Sequence, residues 1–280
     1  MDMSAPGPWL RCWQPVQHPA ANLVCLPHAG GSPGFYSSWA RALPDVQVFA
    51  AHYPGRGERC DEPPETSMPR IARRIAVAIQ RTIEPGSRLV LFGHSLGAPV
   101  ALETARVLGA LGVEIDWLLA SGSRAGPHEP AQRRAWVPDQ SDAEVLDGLR
   151  AMGGTDRDAL ADPDFVSLVT PYVKADSVLY HSYVMELTPT LRCPITTIAG
   201  REDVHADVRP WPRLTTGPHT HVPVAGNHFY LVDRPPFDVV TEIAHRFDDP
   251  EGRSGEHQAD CTHPDSRPTP HRRNGGPVRV

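Results

Sequence analysis

The chain has 280 residues, enough for one large domain, and its 40% hydrophobic and 21% charged residues describe an ordinary globular composition. A formal charge of −6 argues against nucleic acid as the main partner, because neutralising phosphates needs a basic face. Five cysteines (Cys12, Cys25, Cys60, Cys193 and Cys261) lack both metal-ligand spacing and a disulfide framework, which suits a reducing cytoplasm. Residues 1–15 carry no apolar stretch of the secretory type, and no apolar run is long enough to span a bilayer. The expectation is a cytoplasmic protein without a membrane segment.

In chain order, Asn22–Leu26, Val46–Ala50, Arg88–Phe92, Trp117–Ser121 and Ile195–Ala199 read as buried strands. Each is too short for a helix and is bounded by turn residues. His219–Val224 alternates more and reads as a later, more exposed strand. Between the early strands, Ser67–Ile83 repeats Ile71, Ile75, Ile79 and Ile83, the pattern of an amphipathic helix. Gly97–Leu111 is a second helix with small residues in its first turns. Strands alternating with helices predict an α/β fold, a mainly parallel sheet covered on both faces.

From about Ser123 to Tyr183 this rhythm stops. Arg124–Pro138 is loop-like, then Ser141 and Glu144 form a capping-box pattern opening a helix at Ala143–Met152, with Gly153-Gly154 as its stop. A further helix is expected over Pro163–Tyr183, bent near Pro171. Helices inserted without a strand of their own predict a lid at about 123–183. Asp249–Val280 is rich in Pro, Gly, Ser, His, Arg and Asp and reads as a disordered tail after a 1–248 catalytic domain. The irregular spacing of His257, His263 and His271 reads as solvated tail rather than as a metal site.

Gly93-His94-Ser95-Leu96-Gly97 matches G-x-S-x-G. Composition alone would produce that pattern in roughly one chain in ten of this length, so its context carries the weight. A strand feeds into it and a helix leaves it, which is the setting of a nucleophile elbow with Ser95 at its tip. A serine nucleophile needs a base and a group to orient that base, in the chain order serine, acid, histidine. His228 in Gly226-Asn227-His228-Phe229 is the expected base. Asp203, just past the Ile195–Ala199 strand, is the expected acid, with Glu202 and Asp207 as alternatives. His94, His205, His219 and His221 fit the role of base less well, from their places in the elbow, the acid loop and a strand. Oxyanion donors are expected from the backbone N–H of Leu96 and of Ala29, the latter in the glycine-rich loop Pro27–Ser32.

These segments resemble the type II thioesterases, the stand-alone editing enzymes of polyketide and nonribosomal peptide synthesis. The resemblance spans roughly Trp9 to Phe247. It includes Leu26-Pro27-His28-Ala29-Gly30-Gly31-Ser32, Tyr53-Pro54-Gly55-Arg56-Gly57-Glu58-Arg59, Gly93-His94-Ser95-Leu96-Gly97-Ala98 and Gly226-Asn227-His228-Phe229. In the lid it includes Leu149–Gly154 and Pro171-Tyr172-Val173-Lys174-Ala175-Asp176. Three positions depart from the family pattern: Asn227 for a glycine, Lys174 for an arginine, and Ser177 for an aromatic residue.

The resemblance implies an α/β-hydrolase fold and hydrolysis of acyl thioesters held on the phosphopantetheine arm of an acyl or peptidyl carrier protein. It implies no metal and no bound cofactor, since phosphopantetheine belongs to the substrate, and monomer is the default for the fold. Carrier proteins of this kind are acidic, so Arg70, Arg73, Arg74 and Arg81, or Arg133 and Arg134, are candidate docking residues, although a solvated helix face also accounts for them. A general carboxylester hydrolase and a binding protein that has lost its chemistry are the competing readings of the scaffold.

Overall fold

The computed structural model describes residues 8–123, 141–152 and 158–246. The Arg124–Pro138 loop, the Gly153-Gly154 helix stop, Arg133, Arg134, Cys261 and the 249–280 tail lie outside the described residues. Seven strands form one sheet in the order β1-β3-β2-β4-β5-β6-β7. They are β1 (Leu10–Cys12), β2 (Ala21–Leu26), β3 (Val46–Ala51), β4 (Leu89–His94), β5 (Trp117–Ser121), β6 (Ile195–Gly200) and β7 (His219–Val224). Every pairing is parallel except β1 with β3. The parallel α/β expectation holds, and β1 is an antiparallel edge that a three-residue segment could not announce.

Six α-helices are described: α1 (Ser37–Ala42), α2 (Met68–Thr82), α3 (Gly97–Ala110), α4 (Asp142–Met152), α5 (Pro163–Ser182) and α6 (Phe237–Arg246). They cover both faces because strand residues alternate between two cores. Val24 and Leu26 join the core that holds Ile71, Ile75 and Ile79 of α2 and much of α3. Leu23 and Cys25 join the other, with Trp39 of α1 and Val240, Ile243 and Ala244 of α6. Each isoleucine of the α2 stripe contributes about 1.5–3 kcal/mol by leaving water. β7 is the most exposed of the strands, with no buried residue, as its alternating sequence suggests.

The chain runs outward from β2 to β3, then returns to the other side of β2 to lay down β4. The carboxyl ends of β2 and β4 are therefore neighbours at the switch point of the sheet, where loops diverge and open a crevice. Leu26 pairs with Gly93, so the loop after β2 lies beside the turn after β4. Gly93 and Gly97 flank that turn because nothing larger fits. A Cβ on Gly93 would collide with the Gly97 carbonyl, and one on Gly97 with the Leu26 carbonyl.

Helices α4 and α5 are the described part of the insertion. The Ser141 N–H donates to Glu144 Oε2 at 2.7 Å, and the Glu144 N–H returns to Ser141 Oγ at 3.3 Å, completing the capping box that opens α4. Val145, Leu149 and Leu160 form a small core of their own. Lys174 on α5 reaches Asp142 on α4 at 2.7 Å, an ion pair between the two inserted helices. Pro171 sits inside α5, which continues through it.

Candidate active site

Strand β4 delivers Ser95 into a left-handed turn with φ of 53°, the only positive φ of a non-glycine among the described residues. Such a conformation costs about 1–3 kcal/mol and persists only where the surroundings impose it. Here the Ser95 N–H donates to the Ser121 carbonyl at 2.8 Å, and α3 begins at once, holding the turn from both sides.

The hydroxyl faces His228. Ser95 Oγ donates to His228 Nε2 at 3.0 Å, and His228 Nδ1 donates to Asp203 Oδ2 at 2.8 Å. A carboxylate only accepts, so the proton sits on Nδ1 and leaves Nε2 free to take the serine proton. Asp203 Oδ1 accepts from the His205 and Ala206 N–H groups at 2.9 and 3.2 Å. Burial works against the Asp203 charge, but His228 and those two N–H groups outweigh it and hold the carboxyl below its usual range. The alternative acids are committed elsewhere. Glu202 Oε2 accepts from the Gly226 N–H at 2.6 Å and so braces the histidine turn. Asp207 pairs with Arg209 at 2.8 Å.

Asn227 tightens the same turn, its Oδ1 accepting from the Phe229 N–H at 3.0 Å, where a glycine would have no side chain to offer. The Ala29 and Leu96 residues face Ser95 and His228 across one cavity of about 290 Å³. Among the described residues, neither of their N–H groups donates to another protein atom. The cavity is roofed by α4 and α5 through Val145, Leu149, Val173, Ser177 and Tyr180. Ser177 puts a small side chain into that wall.

Two features were not legible in the sequence. The first is a buried file behind His228: Tyr230 Oη and Ser121 Oγ lie 2.8 Å apart, and Ser121 Oγ is 2.8 Å from His94 Nδ1. The His94 ring lies 5.0 Å from that of His228, tilted by 40°. His205 adds an edge-on ring at 5.9 Å. His94 and His205 thus pack around the His228 ring.

The second is an ion pair between Arg56 and Asp176, whose side chains are 3% and 2% exposed. Arg56 donates to both Asp176 oxygens at 2.8 and 2.7 Å. Burial opposes the Arg56 charge, and Asp176 more than compensates, raising its pKa. The rings of Tyr172 and Tyr53 lie 4.8 and 5.3 Å from the guanidinium carbon. Both residues sit in motifs visible in the sequence, but 120 residues separate them.

Burial, then the charges of His228 and Arg56, pushes the His28 imidazole down to about 3, and burial with the His228 charge takes His94 well below 6.5. Both are neutral in the folded protein, whereas the unfolded chain protonates them near 6.5. Between those values the unfolded state binds more protons, so stability is complete above 6.5 and falls as the pH drops towards 3. The expected result is a thermal midpoint that declines below about pH 6.5, with a shallower decline in His28→Gln. A midpoint that stays flat down to about pH 4 would contradict it.

Along α2, Arg70, Arg73, Arg74 and Arg81 are all exposed, and Arg70 pairs with Glu65 at 3.0 Å. No helix among the described residues is long and apolar enough to cross a membrane.

Comparison with known proteins agrees with this geometry. The thioesterase domain profile matches residues 21–248. The thioesterase PikA5 of Streptomyces venezuelae is 37% identical over 233 residues, covering 81% of this chain and 82% of its own. The type II thioesterase BorB from the borrelidin biosynthetic cluster superposes with a TM-score of 0.74 at 32% identity, over 86% of this chain and 99% of that one. The thioesterase RedJ from the prodiginine pathway of Streptomyces coelicolor gives 0.72 at 30% identity, over 85% and 94%. The chain therefore belongs to the thioesterase domain family, an enzyme of α/β-hydrolase fold that hydrolyses acyl thioesters.

Proposed function

We propose that this enzyme, acting as a single chain, removes acyl groups from the phosphopantetheine arm of acyl or peptidyl carrier proteins, clearing stalled or wrongly primed units from a synthase. The observation that carries the reading is the hydrogen-bonded file Ser95–His228–Asp203 opening into a cavity roofed by α4 and α5. Its likeness to type II thioesterases of polyketide and related pathways supports the same substrate class.

In this reading Ser95 Oγ attacks the thioester carbonyl while His228 Nε2 takes its proton. The charge that develops on the carbonyl oxygen is met by the Ala29 and Leu96 N–H groups. His228 then protonates the departing pantetheine sulfur, leaving the acyl group on Ser95. Water then attacks the acyl carbon as it gives a proton to His228, and His228 returns that proton to Ser95 Oγ as the ester bond breaks and the acid leaves. Asp203 keeps the imidazole in the tautomer that both halves require. These steps draw on no metal or bound cofactor, and phosphopantetheine arrives with the substrate.

The test compares one acyl group presented on a holo carrier protein and as a nitrophenyl ester. Contacts to the carrier supply binding energy that a small ester lacks, so kcat/KM is expected to favour the carrier by about tenfold or more. Equal rates would indicate a general carboxylester hydrolase. Neutralising Arg73, Arg74 and Arg81 together should raise KM for the carrier alone if α2 is the docking face; an unchanged KM would exclude that face.

A further inference from the structure

We propose that Arg56 and Asp176 are positioning residues of the oxyanion hole, through which the α5 helix fixes the loop that carries the Ala29 N–H. The inference rests on the reading of Ser95 as nucleophile and Ala29 as donor, and deepens it.

The case follows from which peptide groups the pair holds. Asp176 Oδ2 accepts from the Gly30 N–H at 2.8 Å, and Arg56 Nη1 donates to the Gly31 carbonyl at 3.1 Å. The Gly31 N–H in turn donates to the His28 carbonyl at 2.9 Å. That carbonyl and the Ala29 N–H belong to one planar trans peptide, so they point in opposite directions. Fixing the His28 carbonyl on Gly31 therefore aims the Ala29 N–H the other way. The ion pair thus holds the 29–30 and 31–32 peptide units directly, and the Gly31-to-His28 bond ties the 30–31 unit to the unit that carries the Ala29 N–H.

The loop's own backbone offers little stiffness for this. Gly30 has a φ of +76°, and glycine there resists few alternative conformations. The donor would wander without an external restraint. Val173, one turn before Asp176 on α5, packs so close to Gly30 that an added Cβ would lie 3.1 Å from its Cγ2. The helix thus seats on the loop by shape as well as by charge. Because the pair is buried, its hydrogen bonds act at low dielectric, where charge-assisted bonds are strong and directional. A preorganised donor of this kind acts mainly on the transition state, since only there does the carbonyl oxygen carry its charge.

The experiment measures kcat, KM, thermal midpoint and the affinity of an alkyl boronic acid, which forms a tetrahedral anion on a serine. Two variants of the full chain are used. Asp176→Asn keeps the shape and removes the charge. The double variant Arg56→Met/Asp176→Leu replaces the buried pair with apolar groups of similar size, a change that proteins often tolerate without loss of stability. Rates are referred to the fraction of protein that gives an acyl-enzyme burst.

For both variants, kcat is expected to fall about 10- to 100-fold with KM within about threefold, and boronate affinity to fall by a similar factor. A folded variant of either kind with kcat and boronate affinity within about twofold of the parent overturns the proposal. So does a change confined to KM, which would assign the pair to substrate binding, or one confined to the thermal midpoint, which would make it structural. Ser95→Gly separates the two layers: undiminished boronate binding there would sink the nucleophile reading itself, whereas lost binding leaves the clamp to be judged on its own.

Discussion

Ser95→Ala is expected to lower kcat for thioester hydrolysis by about 10⁵- to 10⁶-fold while leaving the fold intact. In the proposed mechanism the variant removes the atom that bonds to the acyl carbon, the hydroxyl that meets His228 Nε2 at 3.0 Å. The change should be neutral for packing, because alanine is smaller and also tolerates the turn once the Ser121 carbonyl has bound its N–H. Substrate binding should persist, so the variant is expected to retain carrier affinity and can serve as a trap. The measurement is single-turnover acyl release with an unfolding curve alongside. Release within about tenfold of the parent would remove Ser95 from the mechanism.

Asp203→Asn carries the second large effect. An amide in that place can offer its N–H₂ to His228 Nδ1, which favours the tautomer that puts the proton on Nε2. The base then faces Ser95 with a hydrogen already in place, and kcat is expected to fall about 10³- to 10⁴-fold with KM little changed. Glu202→Gln tests the nearest alternative. It weakens the bond that Glu202 makes to the Gly226 N–H but leaves the imidazole its carboxylate, so a loss of less than about tenfold is expected. Asp207→Asn disturbs a pair with an exposed arginine and should cost less still. If Asp203→Asn retained more than about a tenth of the activity, the acid would have to be sought at one of the other two positions.

How much of this was legible beforehand differs from element to element. Trp117–Ser121 and His219–Val224 were bounded to the residue, since short β-branched and apolar runs between turns have few alternatives. The strand expected at Arg88–Phe92 runs instead from Leu89 to His94, carrying its pairing into the elbow motif itself. Loop chemistry marks where a strand can end, and sheet neighbours decide where it does. The α4 capping box was readable because both partners lie within one turn. Three elements escaped: β1, α1 and α6. Six residues or fewer carry little periodicity, which explains β1 and α1. α6 shows a clear apolar stripe in Val240, Ile243 and Ala244, and the prolines before it, Pro235 and Pro236, are a usable start signal.

By itself the sequence determined the α/β class, the order of most strands and helices, the serine at an elbow and the histidine that follows it, with Asp203 as the expected acid and Glu202 and Asp207 as alternatives. These are local facts, set by periods of two and 3.6 residues and by turns that only certain residues can make. Which of Asp203, Glu202 and Asp207 meets His228 is decided by the tertiary structure, because three carboxylates within six residues differ in where their turns aim them. So did the file from Tyr230 to His94 and the pair of Arg56 with Asp176. Their members are far apart in the chain, and each is unremarkable until the sheet and the inserted helices bring it into a buried place where an unmatched polar group would be costly. The serine was written in the motif. The restraints that make its surroundings reactive come from contacts that only the folded chain can assemble.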